Sequence, residues 1–365
     1  MSLDTLLELQ QYSLQQVEKE ALLLPILQEL TEHHRLRSPD YARMLAVLPQ
    51  RSIKTLSDVP FVPVNLFKSH RLSSVAQEDI FKVMTSSGTT GQQVSQVILD
   101  RQTASRQSQA LAAIMTHVLG PKRLPMIIID TPNVVKNRKM FSARGAGVLG
   151  MISYGRQHFY ALDDAMKLDM EGLKSFLAKH QGEPILLFGF TFMVWKYFYQ
   201  QVKEAGIDLS HGILVHSGGW KKLIDEAVDN QEFRRAFRES TGLRRIHNFY
   251  GMVEQVGSVF MEGEDGFLYP PNFADVIIRD PITWEEAPNG MVGVIQVLSG
   301  LPTSYPGHSI LTEDLGMVHG VSNPATGWGG KQLQVIGRVP KAELRGCSDT
   351  HAVDVQAGSP QEAVR

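Results

Sequence analysis

Three short apolar runs alternate with longer stretches of helical spacing in the middle of the chain. The runs occupy residues 125–129, 184–188 and 212–216. Strands buried on both faces of a sheet read as continuous apolar runs of this kind, and the helices between them cover those faces. The pattern therefore predicts a largely parallel α/β sheet, with helices at residues 101–119, 163–180, 192–204 and 221–241.

The two ends of the chain have different patterns. Residues 4–48 have the apolar spacing of helices, and Ser38-Pro39-Asp40 is a typical helix start within them. Beyond Pro271 the apolar runs are short, and turn residues such as those at 287–290 separate them. Short strands are predicted at residues 81–84, 95–99, 275–279, 293–298, 309–312 and 332–337.

The change of pattern near residue 275 predicts the domain organisation. Residues 1–275 are expected to form a helical N-terminus and an α/β core. Residues 276–350 are expected to form a β-rich subdomain. The polar, small residues at 351–365 are expected to be a flexible tail, because they offer little to pack.

Composition narrows the class of protein. Of the 365 residues, 43% are hydrophobic and 20% are charged, which supplies a core and excludes disorder as the main state. The 36 basic and 38 acidic residues give a net charge of −2, which argues against a nucleic-acid-coating protein. No apolar run reaches the roughly 20 residues of a membrane span, and the N-terminus has no signal-peptide pattern, so a cytoplasmic protein is expected.

The chain has one cysteine, Cys347. A single cysteine excludes an intramolecular disulfide and a cysteine-rich zinc site. One alternative is a small buried core residue, which is the usual place of a lone cysteine. The other is a reactive thiol, favoured by the polar, glycine-bearing surroundings and by Arg345, which would stabilise the thiolate.

Residues 85–91, Thr-Ser-Ser-Gly-Thr-Thr-Gly, carry the sharpest local motif. Glycines allow a phosphate to approach the backbone, and the hydroxyls and N–H groups supply donors. The motif lacks the Gly-Lys-Ser/Thr of a Walker A loop. The alternative is an ordinary turn, which the same residue types favour.

Other segments with polar or glycine residues follow predicted strands. Ser217-Gly218-Gly219-Trp220-Lys221 comes directly after one, where open α/β sheets form a ligand crevice. An aromatic residue, a glycine and a carboxylate stand together within residues 248–254. Two carboxylates follow Thr312 at a strand end, and Gly337-Arg338 follows the last predicted strand.

In this order, these segments resemble the adenylate-forming superfamily of acyl-CoA ligases and adenylation domains. Within it, the chain is most similar to the acyl-protein synthetase (LuxE-type) family. The residues that carry this resemblance lie at 62–68, 85–91, 218–221, 303–306, 312–316 and 337–347. The resemblance implies an α/β adenylate-forming core of mostly parallel layers with a β-rich subdomain, lacking the full C-terminal lid domain.

The resemblance also implies the roles of individual residues. ATP and Mg²⁺ are the implied cofactors, with Glu254 near the phosphates as the Mg²⁺ ligand. Tyr250 would stack on adenine, Asp314 would accept hydrogen bonds from the ribose hydroxyls, and Arg338 would contact ribose or phosphate. The other implied ATP-binding residues are Ser86, Ser87, Gly88, Thr89, Thr90 and Gly91 at the phosphates and Gly218, Gly219, Trp220 and Gly251 near adenine.

The chain departs from the superfamily pattern in several places. Val253 stands where many ligases have a threonine, and Glu313 replaces a glycine. The superfamily's lid domain supplies a catalytic lysine, and too little chain follows Cys347 to encode that domain. Lys221 or Lys341 is therefore expected to stabilise charge during adenylation.

These roles imply an ATP-dependent acyl-protein synthetase that converts a carboxylic acid, which the resemblance implies is a fatty acid, into acyl-AMP and transfers the acyl group to Cys347 as a thioester. The implied partner is an acyl-CoA-reductase-like protein or an acyl carrier. One alternative is an acyl- or aryl-CoA ligase, or an enzyme that releases the adenylate, in which Cys347 has no role. Another is a non-catalytic nucleotide-binding subunit.

Overall fold

The N-terminal residues fold into three helices, as their spacing predicts. Helix α1 covers Leu3–Glu8, α2 covers Gln16–Arg37 and α3 covers Pro39–Val47. Ser38 is the N-cap of α3 and Pro39 begins it, which suits proline because the first helical N–H has no partner within the helix. This computed structural model describes residues 2–49, 51–86, 94–136, 143–219 and 228–340.

Helix α5 confirms the prediction for residues 101–119, and Asp100 caps it by accepting the N–H of Thr103 at 2.7 Å. The helix predicted at 192–204 is also present, although its central part, Val194–Tyr199, is π-helical. The helices after α3 are α4 Leu66–Ser69, α5 Arg101–Leu119, α6 Asn133–Lys136, α7 Ala143–Ile152, α8 Met170–Lys179, α9 Thr191–Met193, α10 Gln200–Glu204 and α11 Asn230–Thr241.

The helix predicted at residues 163–180 begins later than expected. The Asp163 carboxylate accepts the N–H groups of Ala165 and Lys167 at 2.9 and 2.8 Å, which closes a turn instead of a helix. Asp169 then caps α8. The prediction is therefore wrong for the residues before Met170. The helix expected at 221–241 is described from Asn230, while residues 220–227 lie outside the described part of the chain.

Among the described residues, twelve strands form one sheet in the order β11-β12-β13-β14-β10-β9-β8-β7-β6-β4-β5, with β1 beside β13. Strands β2 and β3 form a separate hairpin. The bounds are β1 Val62–Pro63, β2 Lys82–Thr85, β3 Gln96–Leu99, β4 Leu124–Ile129, β5 Gly155–Tyr160, β6 Ile185–Phe190, β7 Gly212–Ser217, β8 Arg245–Tyr250, β9 Phe260–Glu262, β10 Leu268–Tyr269, β11 Ala274–Arg279, β12 Gly293–Ser299, β13 Ser309–Ser322 and β14 Gly330–Arg338.

The sheet has a parallel and an antiparallel part. Strands β5, β4, β6, β7 and β8 are parallel neighbours, whereas every pair among β8 to β14 is antiparallel. The predicted α/β class is confirmed. Strands β11 to β14 continue the same hydrogen-bonded sheet through β10 and β9, so the domain boundary placed near residue 275 stays a prediction.

Both faces of the parallel part are buried. Met126 and Ile128 of β4 lie in one apolar cluster, and Ile127 and Ile129 lie in another. Successive side chains of a strand point to opposite faces, so each cluster packs on one face. This double burial explains the continuous apolar runs of β4, β6 and β7. No helix in the described ranges is long and apolar enough to span a membrane.

Strand β8 is one that the apolar pattern did not predict. Its sequence, Arg-Ile-His-Asn-Phe-Tyr, mixes polar and apolar residues, and Glu262 of β9 contacts two of its residues. Glu262 accepts the backbone N–H of Asn248 at 2.7 Å, and its carbonyl oxygen lies 2.8 Å from Nδ1 of His247. The strand therefore depends on a partner that is distant in sequence.

Candidate active site

Several residues predicted to bind a nucleotide follow the carboxyl ends of parallel strands. Ser217 of β7 lies opposite Phe249 of β8, and the Ser217 hydroxyl donates to the Phe249 carbonyl oxygen at 3.0 Å. Open α/β sheets bind ligands at this edge, outside the ends of their strands. The residues that this pairing places side by side at the edge are Gly218, Gly219, Tyr250 and Gly251.

Tyr250, Asp314 and Arg338 come together although they are far apart in sequence. The Tyr250 hydroxyl donates to Oδ2 of Asp314 at 2.7 Å, and Nε of Arg338 lies 3.5 Å from Oδ1 of Asp314. Burial, followed by the negative charge of Asp314, raises the pKa of Tyr250 well above its usual value, so the hydroxyl stays a donor. The Arg338 side chain is 77% exposed, which leaves it able to meet a ligand.

The strand backbone sets the direction of Asp314. The Thr312 hydroxyl donates to the carbonyl oxygen of Ile295 at 2.8 Å and accepts the backbone N–H of Asp314 at 3.1 Å. Thr312 thus ties the segment to β12. The threonine of the Thr-Glu-Asp motif has a structural task, and the aspartate is the group presented to the site.

A β-bulge lies beside Arg338. Leu315 pairs with Gly337 and Gly316 pairs with Val335, so Ile336 is an extra residue in β14 without a partner across the ladder. A bulge re-aims the side chains that follow it, here the side chain of Arg338. Ile336 itself is about half exposed beside the site. Sequence reasoning did not find it, because a bulge is defined by the register of the facing strand.

The turn after β7 requires glycine. Gly218 has φ of +87°, a left-handed conformation that other residues rarely adopt. A Cβ at this position would lie 3.2 Å from the ring of Phe190 at the end of β6. On its other side, the Phe190 ring leaves only 3.0 Å for a Cβ at Gly147 of α7. Phe190 is therefore an apolar wall between α7 and the predicted nucleotide site, and it was not among the predicted site residues.

Ser86 closes the β2–β3 hairpin. Its N–H donates to the carbonyl oxygen of Ser95 at 3.1 Å, and its hydroxyl accepts the N–H of Ser95 at 2.9 Å. The hairpin therefore fixes the base of the predicted phosphate loop. The remainder of that loop, Ser87, Gly88, Thr89, Thr90 and Gly91, lies outside the described residues.

Glu254 lies in a short 3₁₀ turn, Val253–Gln255, after β8. Its side chain is buried, with 6% of the residue exposed. Its carbonyl oxygen accepts the Tyr305 hydroxyl at 2.8 Å, and the amide of Gln255 donates to Gly307 at 2.8 Å. Among residues 2–340, outside the gaps given above, no cation or hydrogen-bond donor is paired with the Glu254 carboxylate.

A buried carboxylate without a cation fits a hard metal ion. Mg²⁺ takes oxygen ligands and is commonly held by one or two carboxylates together with the phosphates of a nucleotide. Within the described ranges, no group of three or more histidine, cysteine or acidic side chains is arranged to hold a metal. Glu254 would therefore hold Mg²⁺ together with the phosphates rather than within a protein cage.

An ion pair between a buried carboxylate at the end of β4 and a partly exposed arginine is a further feature that the sequence did not reveal. Oδ2 of Asp130 lies 3.0 Å from Nε of Arg144 on α7. Burial is the main influence on the Asp130 carboxyl and raises its pKa, against the opposing effect of Arg144. An acidic residue directly after a buried strand was the available signal, and its partner became evident only from the packing of α7.

The structure thus brings together Tyr250, Asp314 and Arg338, with Gly218, Gly219 and Gly251 at the same strand edge. Their binding of ATP stays a prediction. The predicted residues that lie outside the described part of the chain are Ser87, Gly88, Thr89, Thr90, Gly91, Trp220, Lys221, Lys341 and Cys347.

Comparison with known proteins agrees with the fold and the motifs. A family described as acyl-protein synthetase, LuxE, matches residues 4–355. The long-chain-fatty-acid–luciferin-component ligase of Aliivibrio fischeri is 25% identical over 314 residues, which cover 84% of this chain and 81% of that protein. The ligase of the same name from Vibrio harveyi is 23% identical over 351 residues, covering 93% and 89%.

Solved structures share the fold. An open conformation of 2-hydroxyisobutyryl-CoA ligase in complex with 2-HIB-AMP and CoA has a TM-score of 0.67 and 18% identity, covering 90% of this chain and 72% of that one. The same ligase in its postadenylation state has a TM-score of 0.66 and 18% identity, covering 90% and 69%. This likeness confirms the predicted fold of an adenylate-forming core.

The family match extends over nearly the whole chain, and both curated relatives are ligases. The enzyme class predicted from the sequence, an AMP-forming acyl-protein synthetase, is therefore confirmed, and acid activation through an acyl adenylate follows from it. The chain belongs to the acyl-protein synthetase (LuxE) family.

Proposed function

We propose that this enzyme uses ATP and Mg²⁺ to activate a fatty acid as acyl-AMP and then transfers the acyl group to its own Cys347. The thioester would be delivered to an acyl-CoA-reductase-like protein or to an acyl carrier. The names of the two curated relatives support a long-chain fatty acid as the substrate. A cytosolic location suits the proposal, because a free thiol stays reduced there.

The cluster of Tyr250, Asp314 and Arg338 is the observation that carries the nucleotide part of the proposal. Ribose hydroxyls need acceptors, and the Asp314 carboxylate, held by Tyr250, still has lone pairs to offer. Arg338 is exposed beside it and can offset phosphate charge. An aromatic ring at the carboxyl end of parallel strand β8, with a carboxylate and a cation that β13 and β14 bring beside it, suits a nucleotide.

In the first step, a carboxylate oxygen of the acid bonds to the α-phosphorus of ATP while the bond to pyrophosphate breaks. Cationic side chains offset the charge that develops, for which Arg338 and Lys221 are the proposed groups. Mg²⁺, held through Glu254, would supply further charge neutralisation at the phosphates. The product, acyl-AMP, carries a good leaving group.

In the second step, Sγ of Cys347 bonds to the acyl carbon as the bond to AMP breaks, and the thiol proton passes to solvent. Thiolates are the reactive form of cysteine, and neighbouring cations stabilise them. The support for Cys347 is its position after the Gly337-Arg338 motif and its being the only thiol in the sequence. No described contact bears on this step, because Cys347 lies outside the described residues.

Phe190 and α7 are the proposed wall for the apolar part of the acid. Phe190 packs between Gly147 of α7 and Gly218 of the site, and Phe188 contacts it edge-on with ring centroids 6.2 Å apart. An acyl chain beside these rings would be close to an adenylate at Gly218. Apolar side chains lining one wall, with polar groups at the reacting end, are typical of ligand sites.

The test of adenylation is ATP–pyrophosphate exchange with a series of carboxylic acids of increasing chain length. We expect exchange that depends on the acid and is strongest with long chains. If none of the acids supports exchange, the adenylation step is contradicted and a nucleotide-binding subunit without catalysis is favoured.

The test of the thioester is intact-mass measurement of Cys347→Ser after incubation with ATP and the preferred acid. We expect the acyl adduct on the wild-type chain and on Ser348→Ala, a neighbouring control, and its loss in Cys347→Ser with exchange retained. An acyl adduct at the wild-type level on Cys347→Ser would disprove Cys347 as the acyl acceptor. Formation of free acyl-CoA when CoA is added, without a protein adduct, would identify a CoA ligase.

A further inference from the structure

Residues 301–308, between β12 and β13, form a buried loop that joins separate parts of the fold. The loop contains Thr303-Ser304-Tyr305-Pro306, a segment that carries part of the family resemblance without a role of its own. One side of the loop contacts the turn that contains Glu254. The other side contacts the hairpin that contains Ser86.

Tyr305 holds the Glu254 turn through the backbone. Its hydroxyl donates to the carbonyl oxygen of Glu254 at 2.8 Å. The next residue, Gln255, is also held, because its side-chain amide donates to the carbonyl oxygen of Gly307 in the loop at 2.8 Å and to that of Val297 in β12 at 3.2 Å. Two hydrogen bonds from one loop thus fix two adjacent residues of the turn.

The Tyr305 ring is held in place by packing. It is fully buried, and Phe67 contacts it edge-on with ring centroids 6.1 Å apart. A Cβ at Gly307 would collide with this ring and would lie 3.0 Å from the Glu254 carbonyl oxygen, so only glycine fits there.

Ser304 ties the same loop to the hairpin. Its hydroxyl donates to the carbonyl oxygen of Ile98 in β3 at 2.8 Å, and its carbonyl oxygen accepts the N–H of Ser74 at 2.8 Å. Strand β3 pairs with β2, and Ser86 and Ser95, which adjoin the paired residues, are hydrogen-bonded to each other. The loop is therefore a direct link between the base of the phosphate-loop hairpin and the Glu254 turn.

We propose that Tyr305 is a positioning residue that sets the Glu254 carboxylate at the correct distance from the β2–β3 hairpin, so that a magnesium–nucleotide complex can bind between them. This proposal rests on the proposed role of Glu254. A carboxylate that binds a metal must be held firmly, because small displacements weaken the metal complex. Tyr305 acts through the carbonyl oxygen of Glu254, and in this proposal it touches neither substrate nor metal.

The test is Tyr305→Phe in the full-length protein, which removes only the hydroxyl. The measurement is the affinity for ATP by calorimetry across a Mg²⁺ titration, which needs no acid substrate. Loss of one hydrogen bond corresponds to a factor of about 3 to 10, so we expect the half-saturating Mg²⁺ concentration to rise by about that factor. A high Mg²⁺ concentration should restore ATP binding.

Tyr269→Phe is the matched control. Tyr269 is also fully buried, and its hydroxyl donates to Asp265 in the turn between β9 and β10, outside the site residues. We expect both variants to lose similar thermal stability, while only Tyr305→Phe changes the Mg²⁺ dependence. If Tyr305→Phe does not fold, Ser304→Ala loosens the same loop from β3 and should produce a smaller shift of the same sign.

An unchanged Mg²⁺ dependence in Tyr305→Phe, or an equal change in Tyr269→Phe, would overturn the positioning role. So would ATP binding by the wild-type protein that does not depend on Mg²⁺. If no acid supports pyrophosphate exchange while Tyr305 still controls the Mg²⁺ dependence of ATP binding, the positioning role stands and the proposed reaction fails.

Discussion

Strand β14 carries a cation near each end, and the two cations have opposite surroundings. At one end Lys331 is buried, with 11% of its side chain exposed, and lies 3.7 Å from Oδ1 of Asp275. At the other end Arg338 is 77% exposed and lies 3.5 Å from Oδ1 of Asp314. Strand β14 thus pairs a cation with a carboxylate twice, once in the interior and once at its exposed C-terminal end.

The charged groups of the interior cluster contact one another and other groups of the chain. Asp275 also lies 3.7 Å from Lys19 of α2 and accepts the amide of Gln16 at 2.7 Å, while Lys331 donates to the carbonyl oxygen of Val276 at 2.9 Å. Its charges are paired by groups of the chain. In the exposed cluster, Arg338 faces solvent and can therefore form further contacts. A paired, buried cluster fixes α2 against the sheet, whereas an exposed one can exchange water for a ligand.

Asp275→Asn is the change with the largest expected effect. It leaves two buried lysines facing a neutral amide, and breaking a buried charge pair from one side costs about 3–5 kcal/mol of unfolding free energy. Denaturant unfolding measures the loss. Glu285→Gln is the control, because Glu285 pairs with Arg51 at 3.2 Å on the surface and such pairs contribute about 0–1 kcal/mol. Equal stability of the two variants would remove the contrast between the clusters.

The same pair makes a pH prediction. Burial alone would raise the pKa of Asp275, but the charges of Lys19 and Lys331 outweigh it and hold the pKa below its usual value. A lowered pKa in the folded state gives stability that is complete above the unfolded value of about 3.9 and lost as the pH falls through the folded value. The stability difference between wild type and Asp275→Asn should therefore shrink below about pH 4.

Asp314→Asn has the next largest expected effect, and it acts on binding. The amide keeps the size of the side chain and can still accept from Tyr250, but it carries no charge for Arg338 and presents fewer acceptors to a ribose. Hydrogen bonds to charged groups contribute about 1.5–3 kcal/mol, so we expect ATP to bind roughly 10- to 100-fold more weakly. The KM for ATP in pyrophosphate exchange and calorimetry both measure this.

Asp265→Asn is a matched control for that variant. Asp265 accepts the Tyr269 hydroxyl in the turn between β9 and β10, so the pair has the same chemistry as Tyr250 and Asp314 at another place in the sheet. Its variant should bind ATP as the wild type does. Equal loss of ATP binding in both variants would indicate a general effect on the sheet rather than a nucleotide contact at Asp314.

The sequence predicts the parts of the fold whose residues carry their own signal. Strands β4, β6 and β7 are apolar because both of their faces are buried, and helix α5 has its cap at Asp100. Strand β8 was missed because polar residues interrupt its apolar pattern, and its contacts at His247 and Asn248 are with Glu262, which follows later in the chain. Strand β13 extends to Ser322, well beyond the predicted end at residue 312, because β14 pairs with its polar half.

Some features of the candidate site could likewise be predicted from the sequence, and others could not. Tyr250, Asp314 and Arg338 could be chosen from short motifs in a particular order, although only the paired strands show that they touch. The contact of Phe190 with Gly218 and the contact of Tyr305 with Glu254 could not be predicted, because each joins residues that are distant in the sequence. Motifs thus indicate which groups carry chemistry, and tertiary structure shows what positions them.

Arg338→Gln has the smallest expected effect on stability, and its comparison with Lys331→Gln gives the sharpest contrast. Because Arg338 is exposed, its loss should change the unfolding free energy by no more than about 0.5 kcal/mol. We expect the KM for ATP to rise a few-fold and to depend less on salt, since the cation that we propose to face the phosphates has gone. Lys331→Gln should do the reverse, with lower stability and a wild-type KM for ATP in the folded fraction. Exchange kinetics at several salt concentrations and denaturant unfolding measure the two effects. If both variants lost only stability, Arg338 would be a structural cation like Lys331, and the exposed C-terminal end of β14 would have no part in binding the nucleotide.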